Sequence, residues 1–155
     1  FNIVELEKEV IRKTNVMIEE KQAEIKFDEN EDIRVFADDF YIEQVLTNYL
    51  TNAIKNVKEM YGEKYIKISN EINKEEQKVC IKVFNTGKQI SEENLNRIWN
   101  RFYKADESRH REDGGTGIGL AFVKAIMSNY DNKYGVKNLE NGVEFYFELD
   151  MRQKG

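Results

Sequence analysis

The sequence predicts an α+β fold: a two-layer α/β sandwich whose mixed, mostly antiparallel sheet carries helices on one face. Three observations point to it. Residues 40–57 hold a long helical stripe of apolar side chains. Two apolar runs, 65–68 and 78–84, lie on either side of a short polar segment and predict a hairpin. Alternation returns at the end of the chain, over residues 143–151, behind a turn at Asn141-Gly142.

The elements follow in order. Residues 4 to about 20 predict a helix, with a rough stripe of Val4, Val10, Ile11, Met17 and Ile18. Residues 23–27 alternate and predict a short strand, ended by Asp28-Glu29-Asn30. Residues 34–37 predict a second short strand, after which Asp38 or Asp39 caps the next helix. In that helix Ile42, Val45, Leu46, Tyr49, Leu50, Ala53, Ile54 and Val57 cover roughly half the wheel at ~100° per residue. Gly62 closes the linker that follows, and the polar residues 73–77 turn the hairpin. Residues 91–113 are polar and charged, with a short helical piece around Leu95, Ile98 and Trp99. The glycine run 114–119 leads into a helix over 120–129. Residues 134–137 then pair with 143–151, where Val143, Phe145, Phe147, Leu149 and Met151 share one face.

Composition narrows the function. The 155 residues suit one domain, spanning 1–155, that can bury a core without staples. With 9 Phe and 8 Tyr, the chain is too aromatic for a disordered tail. The net charge of −5 argues against nucleic acid as the main partner, because phosphate neutralisation needs a basic face. The lone Cys80 excludes a disulfide framework and fits a reducing compartment. The lone His110 excludes a multi-histidine zinc site. No apolar run approaches the ~20 residues of a membrane helix, and residues 1–9 are amphipathic and acidic rather than signal-like. The chain begins in mid-pattern without Met and reads as a piece of a longer protein.

Three constellations carry chemistry. On the 40–57 helix, Asn48 and Asn52 are spaced i, i+4, with Lys55 three residues on, all beside the apolar stripe. Asparagine is a poor helix former. The pair either caps neighbouring backbone at a helix–sheet rim or edges a polar pocket, with amide oxygens for a hard cation and an ammonium for phosphate. Next, the second strand of the hairpin runs into Asn85-Thr86-Gly87. Asn85 shares the parity of Val79, Ile81 and Val83, and its amide can accept and donate as an adenine edge requires; an ordinary strand-ending turn is the plainer reading. Finally, Gly114-Gly115-Thr116-Gly117-Ile118-Gly119 precedes a helix, where bare N–H groups attract anions. It is neither a dinucleotide fingerprint nor a Walker A loop. A hinge and a phosphate cradle are compatible roles for it. His110 reads as a solvated loop residue, Cys80 as a small hydrophobe, and Trp99 and Phe102 as anchors for the polar loop.

Taken in order, these pieces resemble the catalytic and ATP-binding domain of bacterial sensor histidine kinases, part of the wider fold shared with gyrase, the Hsp90 chaperone and mismatch-repair ATPases. Residues 44–55 resemble the family's asparagine box, and Asn85-Thr86-Gly87 its first glycine box. Residues 98–104 resemble its phenylalanine box, with Trp99 where Phe is usual. Residues 115–120 resemble its second glycine box, and Gly142-Val143-Glu144-Phe145 the motif before the last strand. The match runs along essentially the whole chain. Residues 133–138 and the Asn-Thr-Gly form resemble sensors of cell-wall stress in Gram-positive bacteria.

The resemblance implies the following roles. Asn52 coordinates Mg²⁺, and Asn48 lines the same site. Lys55 meets the phosphates, with Lys104 a second contact, and Asn56 faces the nucleotide. Asn85 reads the adenine amino group, beside Gly87 and Ile90. Residues 91–114 form a lid over ATP, to which Phe102 belongs. The phosphates meet Gly115, Thr116, Gly117, Ile118, Gly119 and Leu120. Two positions depart from the family: Asn85 stands for the usual Asp, and Gln89 for a glycine, a strain if that residue must take a positive φ.

Relatives that hydrolyse ATP carry a Glu one turn before the magnesium asparagine. Here that position is Asn48, which cannot act as a general base. A neutral imidazole already has a free lone pair, so Asn48 favours phosphoryl transfer to histidine, with Lys55 and the metal stabilising charge. The acceptor histidine lies outside this chain, on a dimerisation domain that in turn serves a response regulator. The chain itself is expected to be a monomer, the cytoplasmic part of a membrane-anchored sensor. The alternatives are a degenerate nucleotide-binding or regulatory module and, behind it, an ATPase of the wider fold.

Overall fold

Alternation along each strand decides which face of the sheet the helices cover. The computed structural model describes residues 1–29, 31–100 and 119–152. The sheet consists of β1 (Glu24–Phe27), β2 (Tyr65–Asn73), β3 (Lys78–Thr86), β4 (Tyr134–Leu139) and β5 (Gly142–Asp150), in spatial order β1-β2-β3-β5-β4. β1 runs parallel to β2, and the other neighbours are antiparallel. Val79, Ile81 and Val83 on β3 and Val143, Phe145, Phe147 and Leu149 on β5 are buried under the helices. The opposite face carries Glu71, Lys82, Glu144 and Glu148, with half-buried Cys80 among them. Burial pushes the Cys80 thiol up to about 11, so it stays protonated and behaves as a small hydrophobe.

Among the described residues the helices are α1 (Ile3–Glu20), α2 (Asp39–Asn56) and α3 (Gly119–Tyr130). The side chain of Asn2 caps α1 by accepting from Val4 N at 3.1 Å. The buried stripe of α1 is Ile3, Val4, Glu7, Val10, Thr14 and Ile18, which corrects the expected one: Met17 is exposed, and two polar residues complete the face. Thr14 satisfies its hydroxyl on Val10 O at 2.9 Å, a local bond that lets it sit inward. Glu7 accepts from Asn70 Nδ2 of β2 at 2.8 Å.

Asp38 is the cap of α2, accepting from Phe40 N at 2.9 Å. All eight apolar residues expected on that helix are buried. Tyr49 is the largest of them, packed at a tilt against Phe145 and edge-on against Phe147 with ring centroids 5.2 and 5.8 Å away.

Two expected elements differ. Residues 34–37 are not a strand: Arg34 makes one isolated bridge to Asn2, while Phe36 N donates to Asp150 O. The segment touches the start of the chain on one side and the end of β5 on the other, too briefly for a ladder to form. The helical piece near Trp99 is two 3₁₀ turns, Glu92–Asn94 and Arg97–Trp99. It buries Ile98 and sets Trp99 against Tyr49, Tyr134 and Phe145, at 6.5, 5.1 and 5.9 Å between centroids. Contacts this dispersed call for a short, tight turn rather than one long helical face.

Candidate functional site

The last turns of α2 expose a polar edge. Asn48 and Asn52 are half-buried, and Lys55 and Asn56 are exposed. Asn56 Nδ2 donates to Asn52 O at 2.8 Å and to Asn52 Oδ1 at 3.2 Å. The second bond fixes the Asn52 carbonyl while leaving it another lone pair. Among the described residues no acid pairs with the Lys55 ammonium. The alternative role for the two asparagines, capping backbone at a rim, finds no bond from either side chain to backbone among the described residues.

Each end of this edge meets a glycine. At the Asn48 end stands Gly119, the first residue of α3, where a Cβ would come 3.0 Å from Asn48 Oδ1. The N-terminus of α3, with its anion-attracting N–H groups, therefore lies against Asn48. Leu120 follows, half-buried against the core. At the Asn56 end stands Gly87, with φ +152. A Cβ there would lie 2.9 Å from Asn56 O and 3.3 Å from Asn85 Nδ2. Asn48 and Asn56 are eight positions apart, which at 1.5 Å per residue is ~12 Å of helix edge.

Asn85 closes that second end. It is 2% exposed and continues the inward parity of β3, as its position in the sequence predicts. Its Nδ2 donates to Thr86 O at 3.0 Å, so the nitrogen is turned to protein. The Thr86 hydroxyl accepts from Tyr65 N at 3.0 Å, and Lys58 N donates to Thr86 O at 2.9 Å. The end of β3 is thus tied both to β2 and to the exit of α2. Gln89 does not take a positive φ, so the strain expected of a non-glycine there is absent. Instead its side chain donates from Nε2 to Leu139 O at 2.6 Å.

Ile90 is half-buried, and both of its backbone groups are bonded by the Asn138 side chain. Asn138 was not legible as a site residue. It stands one residue past the strand expected at 134–137, at the end of the 133–138 stretch that carries the resemblance to cell-wall sensors. Phe102, Lys104, His110, Gly115, Thr116, Gly117 and Ile118 lie outside the described residues, as does most of the expected lid. No cluster of three or more His, Cys, Asp or Glu forms a metal site among the described residues. No helix there is long and apolar enough to cross a membrane.

The sequence profile of the histidine kinase-, DNA gyrase B- and HSP90-like ATPase family matches residues 37–153. This chain belongs to that family. It is 37% identical to the sensor histidine kinase YkoH of Bacillus subtilis over 71% of this chain and 23% of YkoH. It is 31% identical to the sensor protein VanSB of Enterococcus faecalis over 74% of this chain and 25% of VanSB. The chain thus spans about a quarter of the length of these relatives. Among solved structures, the catalytic domain of histidine kinase ThkA superposes with a TM-score of 0.82 at 33% identity, covering 97% of this chain and 93% of that one. The histidine kinase catalytic domain and this chain share one fold, the five-stranded sheet covered by helices on one face.

Proposed function

We propose that this chain binds ATP with Mg²⁺ and donates the γ-phosphoryl group to a histidine on a separate dimerisation domain of the same protein, in two-component signalling. One observation carries the reading. A single helix edge holds two amides and an ammonium that no acid among the described residues pairs, with a helix N-terminus at one end and a buried Asn85 at the other. Adenine belongs at the Asn85–Gly87 end, beside Asn56. The phosphates belong at the Asn48–Gly119 end, with Lys55 as the neutralising cation. Ile90 and Leu120 belong to the apolar wall, and Phe102, Lys104 and residues 115–118 complete the site in this reading.

The donor set fits magnesium. Mg²⁺ takes one or two protein oxygens and fills its remaining positions with phosphate and water, so a single oriented amide oxygen serves where the described residues form no carboxylate cluster. Asn52 Oδ1 would hold it, steadied by Asn56. When bound, Mg²⁺ supplies neutralisation of charge on the phosphate oxygens. Lys55 places an ammonium along the same edge. Asn48 offers no basic group to deprotonate water, which disfavours hydrolysis and leaves transfer to a nucleophile with its own lone pair.

The rival reading, a degenerate regulatory module, drew on Asn85 and Gln89. The unstrained backbone at Gln89 weakens it. ThkA has been solved in complex with the response regulator protein TrrA, at 34% identity to this chain over 98% of it and 41% of ThkA. A response regulator, reached through the dimerisation domain, is proposed here as the downstream partner. The test is calorimetric titration of this chain with ATP, with and without Mg²⁺, alongside incubation with γ-labelled ATP. Saturable, Mg²⁺-dependent binding without self-labelling is expected. Transfer should appear only when the dimerisation domain is added. Stoichiometric, acid-labile label on His110 would overturn the assignment.

A further inference from the structure

We propose that Asn138 and Gln89 are positioning residues for the nucleotide pocket: through them the β4–β5 hairpin holds the backbone of its base-side wall. This inference rests on the nucleotide reading above. The chain leaving β3 at Thr86 has no ladder to hold it, yet it carries Gly87 and Ile90 past Asn85. Three fastenings replace the ladder. Gly87 N donates to Asn141 O at 3.1 Å. Gln89 Nε2 donates to Leu139 O at 2.6 Å. Asn138 Oδ1 accepts from Ile90 N at 2.9 Å while its Nδ2 donates to Ile90 O at 2.7 Å.

The Asn138 pair is the strongest of the three. A side-chain amide bonding both backbone groups of one residue reproduces a rung of a sheet ladder, and it needs a donor and an acceptor on one short side chain. Aspartate keeps only the acceptor, and leucine keeps neither. All three fastenings end on residues 138–141, the last rungs of β4 and its turn. That turn also lies against the site directly: a Cβ on Gly142 would collide with the carbonyl oxygen of Asn85. β4 then holds the chain a second time where Trp99 packs on Tyr134, so residues 90 and 99 are both referred to the same edge strand. Small displacements of a positioned group are costly to binding, so a hairpin that sets Ile90 sets affinity on the base side.

The experiment measures affinity for a non-hydrolysable ATP analogue with Mg²⁺, using adenosine and tripolyphosphate as separate probes. The proteins are the parent chain, Asn138→Leu, Asn138→Asp and Gln89→Gly, each with a thermal melt. Asn138→Leu should weaken the analogue and adenosine by about tenfold while leaving tripolyphosphate unchanged. Asn138→Asp should fall between Asn138→Leu and the parent. Gln89→Gly, on an exposed side chain, should weaken adenosine about two- to threefold. Unchanged adenosine affinity in Asn138→Leu and Gln89→Gly would overturn the inference. So would equal losses for adenosine and tripolyphosphate that track the melting temperature, the mark of general destabilisation. A parent chain that binds no nucleotide would overturn the nucleotide reading and this inference together; normal parent binding with unaffected variants would overturn this inference alone.

Discussion

Asn70 on β2 donates a 2.8 Å hydrogen bond to Glu7 on α1, a carboxyl with 0% exposure. Burial outweighs that bond and pushes the Glu7 carboxyl up from 4.5 to about 7. The nearest lysines on α1 are engaged elsewhere, Lys8 with Glu5 and Glu29 and Lys13 with Glu9 and Glu43. Between pH 4.5 and 7 the folded chain therefore holds a proton that the unfolded chain has released. Stability falls as pH rises through this window and levels off above it, by about 3 kcal/mol in all. Glu7→Gln should remove this slope and raise the melting temperature at pH 8 but not at pH 4.5. Melting curves of both proteins across that range check it. Parallel pH profiles would mean that Glu7 is ionised in the folded chain.

Asn52→Ala should abolish the effect of Mg²⁺ on nucleotide affinity while leaving metal-free binding nearly intact. Asn56 keeps its 2.8 Å bond to the backbone of residue 52 in this variant, so the helix end is preserved. Calorimetry with and without Mg²⁺ separates the two quantities. Retained Mg²⁺ dependence would move the metal role to Asn48.

Asn85→Leu should weaken adenine nucleotides several-fold or more, since a site built around a hydrogen bond rejects its loss strongly. Asn85→Asp introduces charge assistance, worth about 1 kcal/mol, against the desolvation of a carboxylate at a position 2% exposed. The two opposing terms predict a net change in ATP affinity smaller than that of Asn85→Leu. Titrations with ATP and GTP report it. Full ATP affinity in the leucine variant would show that Asn85 does not read the base.

Trp99→Ala should destabilise the chain by about 3 kcal/mol, at the low end for large aromatic truncations because Trp99 is half-buried. Trp99→Phe keeps a ring against Tyr134 and Phe145 and should lose less than half as much. Urea unfolding followed by circular dichroism measures both. In the parent, Trp99 is the sole tryptophan, so its fluorescence reports the same packing directly. Equal stability in the alanine variant would show that the ring adds no net stability.

Much of this protein was written locally. The eight-residue apolar stripe fixed α2 and its buried face, because water exclusion acts on a 3.6-residue period whatever the rest of the chain does. Period-two alternation placed Asn85 inward in the same way, since its parity follows from Val79, Ile81 and Val83. The family resemblance needed only the order of short motifs. Tertiary structure decided what lies far apart in sequence. Nothing in residues 1–20 says that Glu7 faces inward; Asn70, 63 residues away, supplies its partner. Nothing in residues 85–90 says that Gln89 relaxes onto Leu139, or that Asn138, 48 residues on, will hold Ile90. The short strand expected at 34–37 failed for the same reason in reverse: its alternation was real, but a strand needs a partner that runs beside it, and the sheet offered none. Periodicity assigns a face to each segment. Which segments meet across that face depends on register and strand order, which set β3 beside β5 and brought Gly119 to Asn48.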